Sequence, residues 1–210
     1  MGWQRFVRTR FGAWFGRVER PVRSTKQLED FLSRHAAFIA QKCAEDYCRN
    51  KVGLSHYALS EEQTYREAMA VCRWEGYAAV LAGLAAVTQR FLLDAGFQAT
   101  RVETALVTLY GRILAQHPAP AHRRQGWDEL IAEMPGRLSA ARADPPQPFA
   151  EIAAAAGTRL FEVLPLHHSY REFDEPVVIG AVHFNFVGFS DRFRRDVDAV
   201  AVGRDLTDAL

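Results

Sequence analysis

The side chains best suited to chemistry lie near the C-terminus, where His167, His168 and His183 occur close together, with Glu172 and Asp174 between them. Imidazoles and carboxylates are the ligands that zinc and non-haem iron use. However, adjacent histidines cannot both face one ion without an unusual backbone, and the chain has no H-E-x-x-H, H-x-H or E-x-x-H spacing. The pattern therefore favours a polar loop and one structural histidine over a metal site, and no cofactor is expected.

The candidate nucleophiles also lack their usual surroundings. Ser190 is not followed by the glycine of a Gly-x-Ser-x-Gly elbow, and Ser169 is only a sequence neighbour of His168. Three cysteines, Cys43, Cys48 and Cys72, lie in helical patterns, where cysteine usually behaves as a small buried hydrophobe. Neither glycine-rich phosphate-binding motif occurs. These observations favour a non-enzymatic protein in a reducing compartment.

The N-terminal segment carries the clearest functional pattern, because apolar and basic side chains alternate there with the period of a helix. One face is aromatic and the others are rich in arginine, as in helices that lie in a membrane interface. The candidate residues for docking on an anionic membrane or on a partner protein are Trp3, Arg5, Phe6, Arg8, Phe11, Trp14, Phe15, Arg17 and Val18. The alternatives are that this stripe packs on the protein's own body or that it is an organelle presequence.

The charge distribution favours an anionic partner for the N-terminal segment, which we call the head. Residues 1–26 hold seven basic side chains and one acidic one, which leaves the head at +6 and the remainder at −5. No second short helix precedes Ser24, so the pattern does not match a helix-turn-helix, and no nucleic-acid partner is expected. No apolar stretch reaches the ~20 residues that a transmembrane helix needs.

Helix signals fill the rest of the chain. Capping boxes at Ser24/Gln27, Ser60/Gln63 and Thr100/Glu103 predict helices over about 25–51, 61–95 and 100–116. Further helices are expected near 127–143, with an irregular turn at Pro135 and Gly136, and over 149–164. Residues 177–189 suit a strand by composition, but the stride from Ile179 to Val200 favours one helix.

The expected fold is all-α: a basic amphipathic helix over residues 1–23 and a single compact domain of six to eight helices over 24–210. The leading functional hypothesis is a cytoplasmic, membrane-peripheral adaptor or assembly factor on the inner face of a membrane, which binds a protein partner or a second copy of itself. A second hypothesis is a helical module that binds a lipid or other apolar ligand in a cavity lined by aromatic side chains. A metal-dependent enzyme that uses the loop 167–174 is the third.

Overall fold

The computed structural model describes residues 21–208. Over this range the chain is helical and has no β-strand, and its extended segments meet in an isolated bridge between Val22 and Val197. The all-α prediction is confirmed for this part of the chain. The nine helices of residues 21–208 are α1 (Thr25–Val52), α2 (Ser55–Glu61), α3 (Gln63–Asp94), α4 (Ala99–Ala115), α5 (Asp128–Ala141), α6 (Phe149–Glu162), α7 (His168–Arg171), α8 (Glu175–Asp196) and α9 (Ala199–Asp208).

Helix α1 begins at the first predicted capping box. The backbone N–H of Gln27 donates to the Ser24 hydroxyl at 3.3 Å, and the backbone N–H of Ser24 donates to Gln27 Oε1 at 3.2 Å. At the other end, Gly53 has a φ of 55°, which glycine adopts without steric cost. Local sequence thus sets both ends of this helix.

The other two predicted capping boxes are wrong. Ser60 lies inside α2, and α3 begins at Gln63 without a side-chain cap. Thr100 lies inside α4, which begins at Ala99. Tertiary burial stabilises these helices where a cap is lacking, since α3 and α4 both bury long apolar stripes in the core.

Two predicted irregularities are also corrected. Helix α3 continues through Gly76, whose missing Cβ leaves room for the Leu160 side chain. Helix α5 continues through Pro135 and Gly136, although an internal proline costs about 3 kcal/mol. Burial of Met134 and Leu138 on both sides of the proline stabilises α5 against that cost.

Residues 177–189, whose composition suits a strand, are helical, as the spacing of their apolar residues predicts. Pro176 lies in the first turn of α8, and Val182 and Phe186 lie on its buried face. The predicted stride is wrong at its last step, because the chain becomes extended at Val197 and Val200 belongs to α9.

The core forms around α3, which packs against α1, α4, α5 and α6, while α6 packs along α8. A Cβ on Gly157 of α6 would lie 2.8 Å from the Ile179 Cα of α8, so this glycine sets how closely the two helices approach. Ring contacts from Phe31 to Phe189 and Phe193 join α1 to the C-terminal half of α8. Among the described helices, those that pack closely on α8 contact its buried side.

The two ends of the described chain meet. Val22 donates to the Asp196 carbonyl at 2.8 Å and accepts from the Asp198 N–H at 3.0 Å. The backbone N–H of Thr25 donates to the Asp205 carboxylate at 2.6 Å. Residue 22 is consequently held at the C-terminal end of α8.

Candidate functional site

The uncovered side of α8 carries the most unusual surface of residues 21–208. Val178, Val182 and Phe186 face the core, whereas Val177 and Phe184 on the opposite side are 61% and 79% exposed. Large apolar side chains are usually scattered singly over a protein surface, and a contiguous set of them marks an interaction site. We call this side the outer face of α8; it comprises Val177, Gly180, Phe184, Val187 and Gly188.

More exposed apolar side chains lie at the end of the body where α8 begins. Phe173, just before α8, is 87% exposed and has a φ of 66°, which costs energy for a residue with a Cβ. The C-terminal end of α1 lies beside this turn, because Lys51 bonds to Asp174. The other exposed members at this end are Leu54, Tyr57 and Tyr170.

A groove between α1 and α8 opens beside the outer face. Its volume is about 460 Å³, within the range of ~300–1,000 Å³ typical of ligand pockets. The lining is mainly apolar. Its apolar part comprises Cys43 from α1 and Val177, Val178, Ala181 and Phe184 from α8.

Two ion pairs lie at the rim of this groove. Asp174 accepts hydrogen bonds from Lys51 Nζ at 2.5 Å and from the Tyr47 hydroxyl at 2.9 Å. The bond from Lys51, and after it the bond from Tyr47, holds the pKa of Asp174 below its usual value. Lys42 pairs with Asp46 at 2.6 Å. The rim therefore carries two cations and two anions, and its formal charge is zero.

The Cys43 thiol belongs to the apolar floor of the groove. Burial raises its pKa to about 12, so the sulfur stays protonated at neutral pH and is a poor nucleophile. Asn185 Nδ2 lies 3.7 Å from the sulfur and donates to the Ala181 carbonyl at 2.8 Å. Burial likewise raises the pKa of Cys48 and Cys72, as expected for structural cysteines.

A second polar cluster surrounds Glu75 in the middle of α3. This carboxylate is only 4% exposed and accepts hydrogen bonds from Arg123, Arg159 and His122, all between 2.6 and 2.8 Å. Burial alone would raise the pKa of Glu75, but the bonds from Arg123, Arg159 and His122 outweigh it and lower the pKa to about 2. A cavity of about 290 Å³ adjoins the cluster and is lined by further ion-paired side chains.

Sequence reasoning missed this cluster. The loop residues His122, Arg123 and Arg124 form a basic spot that most often would be solvated, yet Arg123 is largely buried. The available signal was Glu75 itself, a carboxylate inside an otherwise apolar helical stretch that requires a cationic partner. Its contacts join α3 to α6 and to the loop before α5, which is a structural task.

The structure separates the histidines proposed as metal ligands. His167 Nδ1 accepts from the backbone N–H of Ser169 and so caps the short helix α7, and the His168 ring lies 5.1 Å from that of His167. His183 instead packs against Phe149 at 5.8 Å. Among residues 21–208, no three His, Cys, Asp or Glu side chains are placed to hold a metal ion.

Of the remaining candidate residues, one is buried in the core and the others lie outside the described range. Ser190 is 6% exposed on the core side of α8, where no substrate could reach its hydroxyl. The docking residues between Trp3 and Val18 lie outside the described residues, so their role stays a prediction.

Helix α3 is the one described helix long and apolar enough to cross a membrane by composition. Its apolar window is 72% buried among the other helices. It also holds the ion-paired Glu75, and charged side chains are rare within membrane-spanning segments. Its apolar character is explained by its place at the centre of the core.

Comparison of the chain with protein-family models, with curated proteins and with solved structures finds no significant match. What can be said of its function therefore follows from its own residues.

Proposed function

We propose that this protein is a non-enzymatic, membrane-peripheral adaptor that docks through the outer face of α8 together with its N-terminal segment. The observation that carries the proposal is the exposure of Phe184 and Val177 on a helix side that no other described element covers. Burial of one such side chain in an apolar phase is favourable by about 1.5–3 kcal/mol.

The shape of this surface favours a membrane. Val177 and Phe184 lie two turns apart on one side of α8, so they can enter a flat apolar layer together, and Phe173 is exposed in the turn before this helix. Exposed basic side chains of α1 and α8 have flexible stems, which can reach lipid phosphates while their methylenes stay in the apolar layer. The exposed members of this set include Lys42, Arg194 and Arg195.

The acids that pair with these bases limit the electrostatic part of docking. Arg194 lies 3.3 Å from Asp191, and Arg195 lies 2.7 Å from Asp196. We therefore assign the apolar contact to the body and the attraction to anionic lipid to the arginine-rich head, where each base near the surface contributes about 1 kcal/mol. Val22 is held at the C-terminal end of α8, so the head is joined to the body at that end of the helix.

The test is co-sedimentation of the full chain with phosphatidylcholine vesicles, with and without phosphatidylglycerol. The double variant Phe184→Ser, Val177→Ser should lose about tenfold or more in vesicle affinity on both lipid compositions. The variant Arg5→Gln, Arg8→Gln, Arg17→Gln should weaken binding to the anionic vesicles only, and high salt should reproduce its effect on the unmodified chain.

The matched control is Val200→Ser, which removes an exposed apolar side chain from α9 and should leave sedimentation unchanged. Equal sedimentation of the unmodified chain and the double variant, with both folded by circular dichroism, would refute membrane docking through α8. Loss of self-association or of a protein complex instead would identify the face as a protein interface.

A further inference from the structure

The groove between α1 and α8 lies beside the face that we assign to the membrane, and this inference rests on that assignment. Its apolar floor and its neutral, ion-paired rim call for a ligand with one apolar chain and a head group of balanced charge. We infer that the groove binds a single acyl chain, with a zwitterionic phospholipid head group on the rim.

The apolar part of the inference follows from the lining. Val178 and Ala181 from α8 and Cys43 from α1 present carbon and protonated sulfur, and none of these side chains carries a charge. The aromatic ring of Phe184 borders the groove and is open to solvent on its other side. An acyl chain laid in the groove would cover apolar surface that water now contacts.

The head-group part follows from the rim. Lys51 and Lys42 each lie within 2.6 Å of a carboxylate, so each cation has an anion beside it. A phosphate can accept from the lysines while its trimethylammonium or ammonium group approaches Asp46 or Asp174. An anionic head would meet the two carboxylates without compensation, and an uncharged head would meet no complementary charge.

Hydrogen bonds fix both ends of the groove before a ligand binds. Tyr47 donates to Asp174 across the interface between α1 and the start of α8, which fixes one end. Asn185 bonds back to its own helix and reaches Cys43 Sγ, which fixes the other end. The groove is thus preformed, which keeps the ordering cost of binding low.

The test uses the full chain, free of vesicles, titrated calorimetrically with dodecylphosphocholine below its critical micelle concentration. Saturable binding of one molecule per chain is expected. Ala181→Trp, which fills the groove from an exposed helix position, should weaken binding about tenfold or more, whereas Val200→Trp on α9, outside the groove and the outer face of α8, should not. Laurate and dodecyl maltoside, which share the chain length, should bind more weakly than dodecylphosphocholine.

Unsaturable uptake, or equal affinity of the Ala181→Trp variant and the unmodified chain, would overturn the groove as the site. Equal affinity for all three amphiphiles would overturn the zwitterionic head group. The inference and membrane docking fail separately: the Ala181→Trp variant keeps Phe184 and Val177 and should still sediment with vesicles. Sedimentation without groove binding would therefore refute only this inference, and groove binding without sedimentation only the docking.

Discussion

The Arg123 guanidinium donates two hydrogen bonds to the Glu75 carboxylate, from Nε at 2.6 Å and from Nη2 at 2.8 Å. A bidentate pair of this kind is the strongest form of a charge-assisted contact. Removal of one partner leaves the charge of the other buried without compensation, and this costs more free energy than the pair itself contributes.

Replacement of Glu75 by alanine should therefore lower the free energy of unfolding by about 3–5 kcal/mol, because Arg123 and Arg159 would lose their shared anion. Urea denaturation followed by circular dichroism measures this. The control is Glu133→Ala, which breaks an exposed pair with Arg137 one helical turn away and should cost less than about 0.5 kcal/mol. Similar losses in both variants would show that Glu75 has no special structural role.

The same carboxylate should make stability depend on acid pH. The pKa of Glu75 is lowered from 4.5 to about 2 in the folded chain, so the unfolded chain binds more protons between these values. The stabilisation is therefore complete above about pH 4.5 and is lost as the pH falls toward 2. Melting temperatures at a series of pH values should show a steeper acid loss for the unmodified chain than for Glu75→Gln.

His35 should add a second pH-dependent contribution at higher pH. Burial lowers its pKa from 6.5 to about 4, against the raising effect of its hydrogen bond to the Phe31 carbonyl. Since the unfolded chain takes up the proton first, stability is full above pH 6.5 and falls as the pH drops through that window toward 4. His35→Asn keeps a donor for Phe31 and should flatten the melting temperature between pH 6.5 and 4. An unchanged slope would contradict the assignment.

Gly157→Ala should separate α6 from α8, because its Cβ would lie 2.8 Å from the Ile179 Cα, which cannot rotate away. The expected loss is about 1–3 kcal/mol in the free energy of unfolding. Gly180→Ala on the outer face of α8 meets nothing within 4 Å and should be neutral or stabilising by up to about 1 kcal/mol. The opposite order of stabilities would mean that the two helices do not pack as described.

The capping boxes offer a direct comparison. Ser24→Ala removes both the hydroxyl acceptor and half of a reciprocal pair and should cost about 0.5–2 kcal/mol. Ser60→Ala removes a hydroxyl that donates only to the Tyr57 carbonyl and should stay within about 0.5 kcal/mol. Chemical denaturation of the two variants in parallel measures both losses, and equal losses would contradict a stabilising cap at Ser24.

The fold class could be predicted from the sequence because apolar residues recur along the chain with the spacing of an α-helix. The stride from Val182 to Phe193 identified α8 as a helix against its β-branched composition, and burial of these side chains confirms it. The capping boxes were less informative, since Ser60 and Thr100 match the motif by residue type but lie inside helices. Tertiary packing, which no local motif records, sets those helix starts.

The candidate site could not be predicted in the same way. The docking prediction named residues between Trp3 and Val18, whereas the exposed face of the described body belongs to α8. The sequence pattern of α8 is typical of a core helix. Two apolar sides on one helix resemble full burial, and only the tertiary structure shows that no other described element covers the side with Phe184. The groove likewise depends on α1 and α8 being neighbours, although Cys43 and Ala181 are far apart in sequence.

The short bridge between Val22 and Val197 bears on the strength of the membrane attachment that we propose. In the docking mode that we propose, the bridge fixes the point at which the arginine-rich head joins the body, so capture of either element by a bilayer raises the effective concentration of the other near the lipid. Two contacts that are individually weak then act bivalently. A change that loosens the Val22 tether should shorten the residence time on vesicles even though it alters no side chain that touches lipid.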